Sequence, residues 1–327
     1  MPSKKFSRNR SPVICFAHRA YKFSEAFSRR NLDFCYFSVC TIEELEARID
    51  EVDVLVISGL WENKLLKSAS KLKFVQSISA GVEQYDIELF KKYGVLLASG
   101  KGGNSNAVSQ HVMAVILSFS RQLHLCRDNQ IKKHWREMIG NPNFREDELS
   151  DKTMLIVGFG NIGKMISKYA SVFGMRIIAT RRHLEKESEN GVMVYSHELL
   201  PELIPSADVI VLACPLTDET THLFSAPEFK LMRQTAYFIN VSRGKIVDEE
   251  ALVFALKNKL ISGAGVDVMF EEPLPKDSPL WSLKNVILTP HTAGETRRYE
   301  DNILDILIEN LKLLDKNDRP LLNQVLD

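Results

Sequence analysis

The sequence predicts an α/β protein built as two doubly wound parallel-sheet domains. Three observations carry that reading. Short apolar runs of strand length alternate with helical patterns along the whole chain. A complete α/β rhythm is finished before residue 100, and a second begins near residue 151. The second opens with Met154–Arg182 (MLIVGFGNIGKMISKYASVFGMRIIATRR), which reads as strand, glycine turn, helix and strand.

The elements follow in order. Residues 1–11 are basic and are expected to form a disordered extension; the apolar run after them, VICFA, is too short for a signal peptide. Strands are expected at Val13–Ala17, Phe34–Val39, Val52–Ser58, Phe74–Ile78 and Val95–Ala98, because each is short, apolar and bounded by polar residues. Helices are expected at Ala20–Arg30, Thr41–Ile49, Asn63–Ser70 and Tyr85–Tyr93. Thr41, with Glu44 three residues on, suggests a capping box. Ser99–Asn106 (SGKGGNSN) is polar and flexible, a domain crossing. Ala107–Leu125 is apolar nearly all round and is expected to be buried, between domains or against another subunit. A more polar helix, His124–Arg136, and a charged linker, Asn141–Ser150, lead to the glycine turn.

Beyond Arg182 the strands are Val192–Tyr195, Asp208–Ala213, Ala236–Val241, Gly263–Val268 and Val286–Thr289, and Glu295–Leu314 is a long amphipathic helix.

Bulk properties narrow the class of function. The 327 residues carry 42 basic and 42 acidic side chains, so no charge excess argues for nucleic acid or an anionic membrane. No apolar stretch approaches the length of a membrane span. The five cysteines are scattered without a C-x-x-C pair, as expected of reduced thiols in the cytoplasm. No metal is invoked.

Gly158, Gly160 and Gly163 stand in G-x-G-x-x-G spacing between a strand and a helix. The first permits a tight reversal, the second lets a pyrophosphate approach the backbone, and the third lets the helix pack on the sheet. The helix N-terminus presents N–H groups to phosphate. This predicts a Rossmann domain holding a dinucleotide through Gly158, Phe159, Gly160, Asn161, Ile162 and Gly163. At the end of the second strand an acid would meet the ribose; here Thr180, Arg181 and Arg182 stand instead, and the nearest acid is Glu185. Two guanidiniums suit a 2′-phosphate, so NADP is expected, with NAD possible. Arg243, Glu272 and His291 follow strand ends of this domain, the edge where ligands gather. Together they could serve 2-oxo acid reduction: Arg243 gripping the acid, His291 passing the proton, and Glu272 favouring the imidazolium with its opposite charge. Ser79, Ala80, Gly81 and Val82 form a small-residue turn that could aim N–H groups at a carboxylate.

These motifs carry a resemblance. VGFGNIG (Val157–Gly163), CPLTDETTHLF (Cys214–Phe224), INVSRG (Ile239–Gly244), VDVMFEEPLP (Val266–Pro275), LTPHTAG (Leu288–Gly294) and SAGVEQYD (Ser79–Asp86) make the chain similar to the D-isomer-specific 2-hydroxyacid dehydrogenases from about residue 13 onward. The resemblance implies a flavodoxin-like substrate domain at 12–105 with 295–327, closed by the C-terminal helix, a dinucleotide-binding domain at 106–294, and a homodimer held through about 107–150. It implies Arg243 as substrate arginine, Glu272 as partner carboxylate and His291 as acid/base. Cofactor contacts are implied at Cys214, Pro215, Thr220, Val241, Ser242, Ala293 and Gly294, with Asp267 on the nicotinamide side. Arg181 stands where NAD-preferring members carry an acid, Gln110 where members often carry Glu, and Met269 replaces an aromatic. The reading that follows is an NADP(H)-preferring reductase of small 2-oxo acids such as glyoxylate or hydroxypyruvate. An NAD-linked phosphoglycerate dehydrogenase is the alternative within the class, and a non-catalytic dinucleotide sensor the alternative outside it.

Overall fold

The computed structural model describes residues 11–184, 188–189, 191–316 and 318–325. The expectation for residues 1–11 therefore falls almost wholly outside the described residues, as does Glu185. Thirteen strands and eleven α-helices run in order among the described residues: β1 Val13–Ala17, α1 Phe23–Ser28, β2 Cys35–Val39, α2 Ile42–Arg48, β3 Val54–Ile57, α3 Leu65–Ser68, β4 Phe74–Ser77, α4 Ile87–Tyr93 and β5 Leu96–Ala98. Then come α5 Ser105–Ser120, α6 Leu123–Ile131, β6 Thr153–Val157, α7 Asn161–Val172, β7 Arg176–Arg181, β8 Ser188–Glu189 and β9 Val192–Ser196. The chain ends with α8 Leu200–Leu203, β10 Val209–Leu212, α9 Ala226–Leu231, β11 Tyr237–Asn240, α10 Glu249–Lys257, β12 Gly263–Val266, β13 Val286–Leu288 and α11 Tyr299–Lys316.

Two compact units result. One takes the chain up to Asn104 together with Thr296 onward, and the other takes Ser105–Glu295. In the first unit five parallel strands lie in the order β2-β1-β3-β4-β5, the flavodoxin-like arrangement. Both faces are covered, so alternate residues of one strand enter different cores: Ile14 and Phe16 pack with Phe27, Ile303 and Leu307, while Cys15 and Ala17 pack with Leu45, Leu55 and Phe90. α11 supplies Ile303, Leu304, Leu307 and Leu311 to the first of these. It begins at Tyr299, later than the expected Glu295, where the Tyr299 hydroxyl donates to the Ile78 carbonyl at 2.9 Å.

The second unit has the order β13-β12-β11-β10-β6-β7-β9-β8. From β9 through β12 this is the dinucleotide-binding order, with the direction of winding reversing between β6 and β10. β8, absent from the sequence reading, adds an antiparallel edge. α5 is apolar because it lies on this unit's own sheet: a Cβ on Gly265 would come 2.3 Å from Val115 Cγ1, and Phe119 stacks on Tyr237 at 4.9 Å. The expected continuous helix to Leu125 instead stops at Ser120, and Gln122 takes a left-handed φ of 51° before α6. α6 ends at Ile131 rather than Arg136, and Lys133 is again left-handed at φ 54°. Beyond it Trp135, Met138 and Phe144 are 95%, 98% and 67% exposed. Among the described residues no helix is long and apolar enough to cross a membrane.

Candidate active site

The three fingerprint glycines have different reasons to be glycine. Gly158 holds φ +100°, and a Cβ there would lie 2.6 Å from the Cys214 nitrogen. A Cβ on Gly163 would lie 2.4 Å from the Gly158 carbonyl oxygen. Both are demanded by backbone packing. Gly160 is not: among the described residues nothing beyond its own neighbours in the chain lies within 4 Å of its would-be Cβ, and its φ is an ordinary −89°. Gly160 is the N-cap of α7, and no side chain caps that end. An exposed glycine that the fold does not require, at an uncapped helix N-terminus, fits a phosphate group approaching the backbone. Phe159 is buried in the apolar core and offers a dinucleotide only its backbone, while Ile162 packs on that core and stays partly exposed.

From this turn a series of contacts runs across the strand ends. Gly158 abuts the loop after β10 at Cys214, whose thiol is pushed up to about 11 by burial and stays protonated. The Ser242 hydroxyl, after β11, donates to the Cys214 carbonyl. The buried Asn240 side chain accepts from the Ser242 N–H at 3.1 Å and donates to the Arg243 carbonyl at 3.1 Å, which shapes the turn that presents Arg243. The Arg243 guanidinium donates from Nη1 to the Ser242 carbonyl at 2.8 Å.

The turn then meets the loop after β12. A Cβ on Gly244 would lie 1.8 Å from the Met269 carbonyl oxygen, so only glycine admits this approach. Glu272 accepts the Met269 N–H on Oε1 at 3.0 Å, and its Oε2 lies 2.8 Å from His291 Nδ1. Arg243, Glu272 and His291 therefore belong to one connected group of loops. A carboxylate at Nδ1 draws the ring proton there and leaves Nε2 as the nitrogen that can exchange a proton.

Asp267 is 3% exposed, and its carboxylate is held by hydrogen bonds from the loop that follows β13. Its Oδ1 accepts from the Thr289 hydroxyl at 2.5 Å and from the N–H groups of Thr292 and Ala293 at 2.9 and 3.1 Å; Oδ2 also accepts from Ala293 at 3.1 Å. The Asp267 carbonyl accepts the His291 N–H at 2.8 Å, and His291 sits at a left-handed φ of 55°. Asp267 is the anchor of the Thr289–Ala293 turn that carries the histidine. His111 Nε2 stands 3.2 Å from the Thr289 hydroxyl. Burial holds the His111 pKa below its ordinary value, and the Asp267 charge opposes that only in part. Thr289 and His111 were not legible as site residues: Thr289 closes the expected strand before His291 but carries no charge, and His111 lies in α5, 178 residues away along the chain.

At the ribose end Thr180 is 1% exposed, and its hydroxyl has no partner among the described residues. Arg181 lies 3.6 Å from Glu189, and Arg182 lies 2.7 Å from Glu219. The sequence reading has both arginines facing solvent or ligand and names neither carboxylate. Thr220 donates its hydroxyl to the Pro215 carbonyl at 2.8 Å, inside the loop after β10. Val241 and Gly294 flank the Ser242 and Ala293 positions. The turn Ser79–Val82 belongs to the first unit, after β4, where Ser79 Oγ lies 2.5 Å from Ser58 Oγ. Among the described residues no group of three or more His, Cys, Asp or Glu side chains could hold a metal ion.

Comparison with known proteins gives a consistent picture. Residues 113–293 match the family model described as D-isomer specific 2-hydroxyacid dehydrogenase, NAD binding domain. A glyoxylate reductase of Thermococcus gammatolerans is 34% identical over 278 residues, covering 82% of this chain and 81% of that protein. A glyoxylate/hydroxypyruvate reductase B of Klebsiella pneumoniae is 36% identical over 250 residues, 76% of each chain. The crystal structure of a D-isomer specific 2-hydroxyacid dehydrogenase family protein from Aeromonas salmonicida superposes with a TM-score of 0.83 at 27% identity, covering 97% of this chain and 99% of that one.

Proposed function

The chain belongs to the D-isomer-specific 2-hydroxyacid dehydrogenase family, and on that premise we propose that it is an NADP(H)-preferring reductase of glyoxylate, hydroxypyruvate or a similarly small 2-oxo acid. The family makes it an oxidoreductase on CH–OH groups with a nicotinamide dinucleotide cofactor. The uncapped α7 N-terminus, Gly160 and the unpaired Thr180 hydroxyl fit such a group, which supplies the hydride when bound.

The residues of the chain supply the rest. Arg243 holds the substrate carboxylate and carbonyl oxygen through two guanidinium N–H groups, and its permanent charge meets the negative charge developing on that oxygen. His291 delivers a proton to the oxygen from Nε2 in reduction and takes it back in oxidation. Glu272 holds Nδ1, so the ring keeps one orientation and one exchangeable nitrogen. Ser79, Ala80, Gly81 and Val82 carry the remaining substrate assignment, as N–H donors to the carboxylate. The observation that carries the reading is the His291–Glu272 pair, tied through Met269 to the Gly244 turn.

NADP preference is supported by a β7 end that reads Thr180-Arg181-Arg182 with no acid. A homodimer through the region from α5 to β6 is supported by the exposed Trp135, Met138 and Phe144. A cytoplasmic setting is supported by five free cysteines. The test is a panel of 2-oxo acids with NADPH and with NADH, followed by loss of the reduced-nicotinamide absorbance. Turnover with NADPH and a small 2-oxo acid is expected. No turnover with any acid would favour a binding protein, and a clear NADH preference would remove the cofactor assignment.

A further inference from the structure

Glu189 stands between two cations. Its Oε1 lies 2.5 Å from Lys164 Nζ, and its Oε2 lies 3.6 Å from Arg181 Nη1. Lys164 is in the first turn of α7, the helix of the glycine turn, and Arg181 is the last residue of β7. Glu189 reaches them from β8, the antiparallel edge strand paired to β9. All three side chains are about a third exposed or less, at 33%, 27% and 32%. The β7 end lacks an acid in sequence, yet the edge strand brings a carboxylate back to it in space.

We propose that Glu189 sets the cofactor selectivity of this protein by competing with a 2′-phosphate for Lys164 and Arg181. The proposal rests on the assignment of Arg181 to NADP(H). A phosphate monoester carries more charge than a carboxylate and offers three acceptor oxygens. It wins the two cations only by displacing Glu189, because two anions on one pair of cations repel. Part of the gain is lost with the Lys164–Glu189 contact. The preference for NADPH over NADH is therefore narrower than two arginines alone would give. Glu219, 2.7 Å from Arg182, opposes the phosphate in the same way from the loop after β10.

The test is calorimetric binding of 2′,5′-ADP and 5′-AMP to the intact, folded protein, with no turnover involved. The wild type is expected to bind 2′,5′-ADP more tightly. In Glu189→Gln, 2′,5′-ADP should tighten by about three- to fivefold while 5′-AMP changes by less than about twofold. Glu189→Ala, with the fold checked by circular dichroism, should move the same way. A wild-type preference abolished by Arg181→Ala but left unchanged or weakened in both Glu189 variants would overturn the role of Glu189 and keep the NADP(H) reading. Equal binding of the two nucleotides by wild type, unmoved by Arg181→Ala, would overturn that reading itself.

Discussion

Gly244 lies against the Met269 peptide so closely that a Cβ would sit 1.8 Å from the carbonyl oxygen and 2.5 Å from the Phe270 nitrogen. That contact joins the turn presenting Arg243 to the loop holding Glu272. Gly244→Ala must force the two loops apart, since its neighbours are backbone atoms with no side chain to swing away. A loss of about 2–4 kcal/mol in urea unfolding is expected, with a raised KM for the 2-oxo acid. Gly160→Ala is the contrast. With nothing within 4 Å of its Cβ, stability should change by less than about 0.5 kcal/mol, while dinucleotide binding weakens. Equal stability of the two variants would contradict this division.

His291 and Glu272 should separate in kinetics by degree. His291→Gln removes the proton donor, and kcat should fall by about 10²–10⁴ with little change in KM. Glu272→Gln keeps an oxygen near Nδ1 but removes its charge, so the fall should be smaller and again in kcat. Arg243→Ala should raise KM as well, because binding and charge stabilisation are lost together. Steady-state kinetics on the three variants checks this, and an unchanged kcat in His291→Gln would sink the assignment.

Asp267 should matter to stability more than its concealed position suggests. Asp267→Ala leaves the Thr289 hydroxyl and the Thr292 and Ala293 N–H groups without their acceptor, at a cost of about 3 kcal/mol. Asp267→Asn keeps one acceptor oxygen and should lose less. The measurement is chemical denaturation, and near-equal stability of Asp267→Ala and wild type would show that the turn is held by other means.

The pH dependence of stability should carry a trace of His111. Burial lowers its pKa from the ordinary 6.5. Below pH 6.5 the unfolded chain takes up a proton that the folded chain resists, so the unfolded state binds more protons and stability falls with pH. The loss begins as pH drops through the ordinary value and continues to the lowered folded one. Asp267 and the Thr289 hydroxyl are the groups facing the ring. Relative to His111→Gln, wild type should lose urea resistance as pH falls through and below 6.5. His18, also lowered by burial, is common to both proteins and cancels. Parallel curves would refute the effect.

The two-sheet α/β class was legible because strand and helix patterns are local: VICFA and VLVI are short apolar runs, and the stretch from Asn161 to Val172 keeps one apolar face. Element ends were less legible. α5 and α6 read as nearly one helix, since nothing local announces the left-handed Gln122. α1 is shorter than its pattern, and β8 is a two-residue edge strand with no apolar signal.

The sequence by itself carried the glycine turn and singled out Arg243, Glu272 and His291 as candidates, because a backbone reversal and a strand end are encoded within a few residues. Tertiary structure alone decided which charges meet. Glu189 reaches Arg181 and Lys164, Glu219 reaches Arg182, and Asp267 turns inward to hold Thr289. Such pairings depend on strand order and edge pairing, which bring together side chains from separate elements. No local pattern specifies those pairs, and only the packed sheet supplies them.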